Sequence, residues 1–240
     1  MSEDNLDLLV SDIITDVEAR MGNPNISTSI YLPFINTAYA RTYFALMGTG
    51  RAVKEELFGE YALVTLNTSS PNEYDLIDLA PRFGGMIKLE VKYGGTDDIY
   101  KKATRLKSLA DWDMSHVTTD YIAKATPLYY ILGKKIGFLP VPPEAGAVAK
   151  MWYVKRPYQL SESTDIIDIP YRFTYPIVNY VHAKAIQKEN EDYKNSLNIE
   201  NVFKNELEEL SQFVEGEYNE NEGSEVEDSS NSGFYENPLR

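Results

Sequence analysis

The stretch "YYILGKKIGFLPVPPEAGAVAKMWYVKRP", Tyr129 to Pro157, decides the fold class. Short apolar and aromatic runs stand on either side of Gly133-Lys134, the composition of a tight two-residue hairpin turn. The runs are predicted as strands at Leu128–Leu132 and Lys135–Leu139. Pro140, Pro142 and Pro143 cannot donate ladder hydrogen bonds, so the hairpin stops there and a loop leads to a third strand, Ala147–Lys155. Nothing in the stretch can act as a nucleophile, an acid–base pair or a ligand cluster.

Upstream of this stretch "YALVTLN" (61–67), "EYDLIDLA" (73–80) and "GMIKLEVKY" (85–93) are short, rich in β-branched and aromatic residues and bounded by Gly, Pro, Asn and Ser. They too are predicted as strands. "LKSLADWDMSH" (106–116) is predicted as a short helical insertion.

At both ends the period changes from 2 to 3.6. Leu6, Leu9, Val10, Ile13, Val17 and Met21 form one helical stripe, with Asp4 as the expected cap. A second helix is expected from about Ser29, with Pro33 near its first turn, where proline costs least. "GTG" (48–50) stops it. After "RPYQLSESTDIIDIP", Phe173, Ile177, Val181 and Ala185 line another helix. Leu197, Phe203, Leu207, Leu210 and Val214 line a last one. Helices, then strands, then helices imply α+β rather than a parallel βαβ sheet. The expected architecture is a bundle of N- and C-terminal helices, residues 1–58 and 170–215. It carries a central β-rich, barrel- or sandwich-like insertion, 59–169, and an extended acidic C-terminal arm, 216–240.

Composition excludes several classes. The 240 residues contain no cysteine, which removes disulfides, Cys-ligated zinc and thiol catalysis. No run approaches the roughly 18 apolar residues of a membrane span. "MSEDNLDLLV" is acidic where a secretory signal would be basic. The net charge is −14, and residues 206–240 hold 11 acids against the single base Arg240. The paired lysines at 101–102 and 134–135 are too isolated to form a phosphate-binding stripe, so strong nucleic-acid binding is not expected.

Candidate chemistry is sparse. Asp111, Asp113 and His116 could ligate a metal, but Asp111 falls off the face that Asp113 and His116 would share on a helix. His182 lies beside an apolar stripe and reads as a structural histidine. "MGTGR" (47–51) lacks the Gly-Lys-Ser/Thr ending of a phosphate loop. The expectation is therefore no catalytic residue, no cofactor and no metal. What stands out is tyrosine, 18 residues, clustered at 129–130, 153, 158, 171, 175 and 180. Such rings bury interface area at low entropy cost, although half of these positions suit a sheet core.

Several segments, in order, resemble tailed-bacteriophage head–tail adaptor proteins, also called connector, neck or tail-tubular-A-like proteins. They are "TPLYYILGKKIGFLPVP" (126–142), "AGAVAKMWYVKRP" (145–157), "TDIIDIPYRFTYPIVNYVHAKAIQKEN" (164–190), "LPFINTAY" (32–39) and "EYDLIDLAPRF" (73–83). The resemblance spans roughly residues 26–215. It implies a non-enzymatic virion protein at the head–tail junction, made in the host cytoplasm. It would form a ring, usually of twelve copies, between the portal above and a tail or nozzle protein below. DNA would pass through the channel without specific binding, and no membrane is involved. The alternatives are a stopper or tail-tube ring component, a cytoplasmic binding module with an acidic tail, and a metal-dependent hydrolase built on Asp111, Asp113 and His116. On the adaptor reading the partner-binding residues are Lys134 and Lys135 at the hairpin tip. Phe234, Tyr235, Pro238 and Leu239, in "GFYENPLR", would form an apolar plug beyond the acidic spacer.

Overall fold

The computed structural model describes residues 8–22, 28–94, 99–106, 126–191 and 196–222. Its elements are α1 (Val10–Met21), α2 (Thr28–Thr49), α3 (Arg51–Phe58), β1 (Gly59–Thr65), β2 (Glu73–Asp75), α4 (Leu76–Leu79), β3 (Phe83–Lys92), β4 (Lys101–Lys102), β5 (Thr104–Arg105), β6 (Leu128–Leu132), β7 (Lys135–Leu139), β8 (Val148–Lys155), a 3-10 turn (Tyr171–Phe173), α5 (Tyr175–Glu189) and α6 (Ser196–Glu222). The fold is α+β.

The helices enclose one core. Val10, Ile13 and Val17 of α1, Tyr31, Ile35, Tyr39, Tyr43 and Leu46 of α2, Ile177 and Val181 of α5, and Phe203, Leu210 and Val214 of α6 are buried together. The spacings of 3 and 4 along α1 and α6 are those of one apolar helical stripe, and burying it is what holds each helix. α1 lies chiefly against α5, and α6 lies against α2 and α5.

The strands form two four-stranded sheets, in the orders β1-β8-β3-β4 and β2-β7-β6-β5. They share a second core. Val64, Leu89, Val91, Ala149, Met151 and Tyr153 of the first sheet are buried with Tyr129, Ile136 and Phe138 of the second. The predicted hairpin is present in the expected register, with Leu128 opposite Leu139 and Leu132 opposite Lys135. Gly133 takes φ 60 at the turn, a conformation open to glycine at no steric cost.

Four expectations need correction. Leu9 is not helical: it pairs with Ile166, and its N–H donates to Asp12 Oδ2 at 2.8 Å, so α1 is capped from inside its own first turn. The proposed cap Asp4 lies outside the described residues. "EYDLIDLA" is only a strand as far as Asp75. The Asp75 carboxylate accepts from the Ile77 N–H at 2.9 Å and starts the one-turn helix α4. Leu197 is exposed, because the buried stripe of α6 starts at Phe203. Finally, α6 runs past Gly216 to Glu222: a glycine inside a helix costs about 1 kcal/mol, too little to end one anchored along its length. The segment 106–116 lies outside the described residues apart from Leu106.

A charged cluster fastens the bundle. Glu200 of α6 accepts from Arg41 at 2.5 Å and from Tyr180 at 2.8 Å, and Lys184 Nζ lies 3.2 Å from it. Arg41 also stacks over the Phe203 ring at 4.6 Å. Burial pushes the Glu200 carboxyl upward, but the hydrogen bonds from Arg41, Tyr180 and Lys184 outweigh it and hold the group below the ordinary 4.5. A carboxylate whose pKa is depressed by folding adds stability above its unfolded value, and that contribution is lost as pH falls through the folded value. Urea midpoints measured from about pH 6 down to pH 3 should therefore fall less steeply for Glu200→Gln than for the parent below pH 4.5. Equal slopes would show that the cluster contributes no pH-dependent stability.

Candidate functional site

The hairpin β6–β7 projects Lys134 and Lys135 at its turn, and both are exposed. The turn is pinned from the side: the Leu76 N–H, at the start of α4, donates to the Lys134 carbonyl at 2.8 Å. Strand β2 pairs along β7, Glu73 opposite Gly137 and Asp75 opposite Lys135. The tip is therefore the corner of a three-strand-and-helix unit rather than a free finger.

Side-chain contacts organise the outer face of this unit. Lys135 Nζ lies 3.4 Å from Glu73 Oε2, so Lys135 already has an acid of its own chain. The Tyr130 hydroxyl donates to the other oxygen, Glu73 Oε1, at 2.7 Å. Burial, then the bond to Glu73, raises the Tyr130 pKa, so the phenol stays protonated and donating. Gly137 makes the arrangement possible: a Cβ there would stand 2.1 Å from Tyr130 Cζ. Two apolar side chains flank the tip, Leu132 at 55% exposure and Ile77 at 51%. A rigid backbone, exposed aliphatic groups and an ion pair at the rim are the ingredients of a contact surface. An exposed pair such as Lys135–Glu73 contributes only about 0–1 kcal/mol, so the apolar groups would carry the affinity.

The Tyr130–Gly137 contact is testable. Gly137→Val should swing the Tyr130 ring away from Glu73 and lower the stability by roughly 1–3 kcal/mol. Combining it with Tyr130→Ala should cost less than the sum of the two single changes, because the clash is then gone. Chemical denaturation of the four proteins gives the answer, and strict additivity would mean that the two residues do not meet.

Of the other residues singled out in the sequence, Phe234, Tyr235, Pro238 and Leu239 lie outside the described residues, as do Asp111, Asp113 and His116. His182 lies half-buried on α5, with its pKa lowered by burial and then by the Arg20 charge. Tyr129, Tyr130, Tyr153 and Tyr180 are buried, whereas Tyr171 and Tyr175 are exposed. Sequence reading missed Glu73, Leu76 and Ile77 at the tip, although the Asp-capped start of α4 in "YDLIDL" was a visible signal. Among the described residues no helix is long and apolar enough to cross a membrane, and no three acidic or histidine side chains are grouped as metal ligands.

The model of the SU10 adaptor protein family matches residues 9–225, which takes in the helices, both sheets and the hairpin. No curated protein matches the chain.

Proposed function

The chain belongs to the SU10 adaptor protein family, a phage head–tail adaptor family, and from that premise we propose that it forms a ring between the portal and the tail. The family assignment makes it a structural component of the phage particle that associates with other head and tail proteins. The ring, its stoichiometry of about twelve copies, the portal contact and the DNA channel are our reading.

The family match over residues 9–225 carries this reading, and the hairpin supports it. A contact protein needs a surface whose shape survives assembly, and the tip is fixed by backbone hydrogen bonds to a second strand and a helix. In the ring, helices in 1–58 and 170–215 form the load-bearing body and the β-rich part, 59–169, presents the hairpin toward a neighbouring subunit or ring. The acidic arm would extend outward. Residues 1–205 hold 26 acids against 22 bases, and this mildly acidic body suits a channel wall: a surface that does not neutralise phosphates releases no counterions and lets DNA slide.

Native mass measurement on the purified chain, alone and mixed with portal rings, tests this. The expected result is a closed oligomer that forms or is stabilised in the mixture. Ile77→Asp and Leu132→Asp, both at exposed positions, should abolish the association while leaving the fold intact. A chain that stays monomeric in every mixture would refute the ring.

A further inference from the structure

The first sheet has an outer face that the helical core and α3 cover at its Val154 end, and beyond that end Tyr61 and Leu63 stand exposed. Antiparallel register places Tyr61, Trp152 and Lys88 in one row across β1, β8 and β3, and Leu63, Lys150 and Glu90 in the next. Lys102 of β4 pairs opposite Glu90 and continues that row. Tyr61 is 61% exposed and Leu63 58%. Lysines and rings interleave: Lys88 Nζ lies 4.9 Å from the Trp152 ring centroid, and Lys150 Nζ lies 4.9 Å from that of Tyr100. Lys92 reaches the Tyr100 ring at 5.9 Å. Among the described residues of these rows the one acid, Glu90, pairs with Lys88 at 2.5 Å. So, among the described residues, a chain of net charge −14 sets Lys88, Lys102 and Lys150 on this face beside Glu90. Beside it β1 is the outermost strand of its sheet, with one backbone edge unpaired in the sheet order.

A positively charged aromatic face next to an open strand edge fits an extended, acidic, aromatic peptide. The strand edge supplies backbone partners, the lysines attract carboxylates and the rings take apolar side chains. The chain contains an acidic, aromatic segment in residues 223–240, "GSEVEDSSNSGFYENPLR", with Glu225, Glu227, Asp228 and Glu236 along it and Phe234 and Tyr235 within it. We propose that residues 223–240 of a neighbouring copy dock on the Tyr61–Leu63–Trp152–Lys88–Lys150 face. The identity of the donor copy rests on the ring reading above. The complementarity of face and segment does not.

Photo-crosslinking on the full chain tests the proposal. Benzoylphenylalanine replaces Leu63, and the protein is assembled from an equal mixture of isotopically light and heavy copies. The expected products join position 63 of one copy to residues 223–240 of another. Lys88→Glu with Lys150→Glu should cut the yield about fivefold, since each rim pair is worth at most about 1 kcal/mol, and high salt should also cut it. Lys204→Glu, on the exposed surface of α6, should leave the yield unchanged. If the double lysine variant fails to fold, Glu225→Gln with Glu227→Gln and Asp228→Asn lowers the same yield without touching the sheet. Crosslinks confined to residues 107–125, to added DNA or to the same copy would overturn the proposal. Oligomers without crosslinks would overturn it while leaving the ring intact, and native mass on the same sample separates this from failure of the ring itself.

Discussion

Phe58→Ala is expected to lower the stability of the chain by about 3–5 kcal/mol, the range for emptying a fully buried aromatic site. Phe58 ends α3 and has no exposed surface. Its ring centroid lies 4.1 Å from that of Tyr43, whose hydroxyl donates to the Lys155 carbonyl at the end of β8 at 3.2 Å. The next residue, Gly59, opens β1, and a Cβ there would stand 2.1 Å from the Glu55 carbonyl oxygen. Thermal unfolding should show a fall of roughly 10 °C for a chain of this size. Tyr43→Phe removes only the hydrogen bond to Lys155 and should cost about 0.5–1.5 kcal/mol. A Phe58→Ala protein within about 1 kcal/mol of the parent would mean that this joint is not packed as described.

The second large effect is at Arg82, where helical and β cores meet. Arg82 Nε and Nη2 donate to the Arg156 carbonyl at 2.9 and 2.7 Å, its Nη1 pairs with Asp168, and its guanidinium lies 4.6 Å from the Tyr158 ring centroid. Both charges of the pair are largely buried, with the Arg82 side chain 25% exposed and Asp168 20%. Removing one partner of such a pair strands the other charge. Arg82→Met should cost about 2–3 kcal/mol, the scale of a charge-assisted hydrogen bond partly open to water. Arg82→Met with Asp168→Asn should recover part of that loss, because the stranded carboxylate is then neutral. Arg82→Lys should recover little, since an ammonium cannot hold a carbonyl, a carboxylate and a ring face in one plane. Urea denaturation of the parent and the three variants distinguishes these outcomes, and a double variant worse than the single one would contradict the pairing.

The hairpin and β8 were legible because each carries its own signal: Gly133-Lys134 at the turn, three prolines after Leu139, and a run rich in aromatic and β-branched residues from Val148 to Lys155. The buried stripes of α1, α5 and α6 were legible for the same reason, since their apolar spacing is local. The short elements were not. Strand β2 and helix α4 together span seven residues, fewer than either period needs to declare itself, and the Asp75 cap decides between them. α3 was hidden behind "GTG", which ends α2 at Thr49 and at once restarts a helix at Arg51. The lysine–aromatic face could not be read from sequence at all. Tyr61, Lys88, Tyr100 and Trp152 come from four separate stretches, brought together only by the order β1-β8-β3-β4. The hairpin tip was half legible: Lys134 and Lys135 were visible, while Glu73 and Ile77, which complete the surface, come from a separate stretch.

A cryo-electron microscopy map of the intact particle tests the central claim most directly. The account predicts density for this chain, with its helical body and two sheets, repeated in a closed ring between portal and tail, and the Gly133–Lys135 turn with Ile77 and Leu132 buried against a neighbouring chain. A particle whose head–tail junction lacks this chain, or a ring in which that turn faces open solvent on every copy, would contradict it.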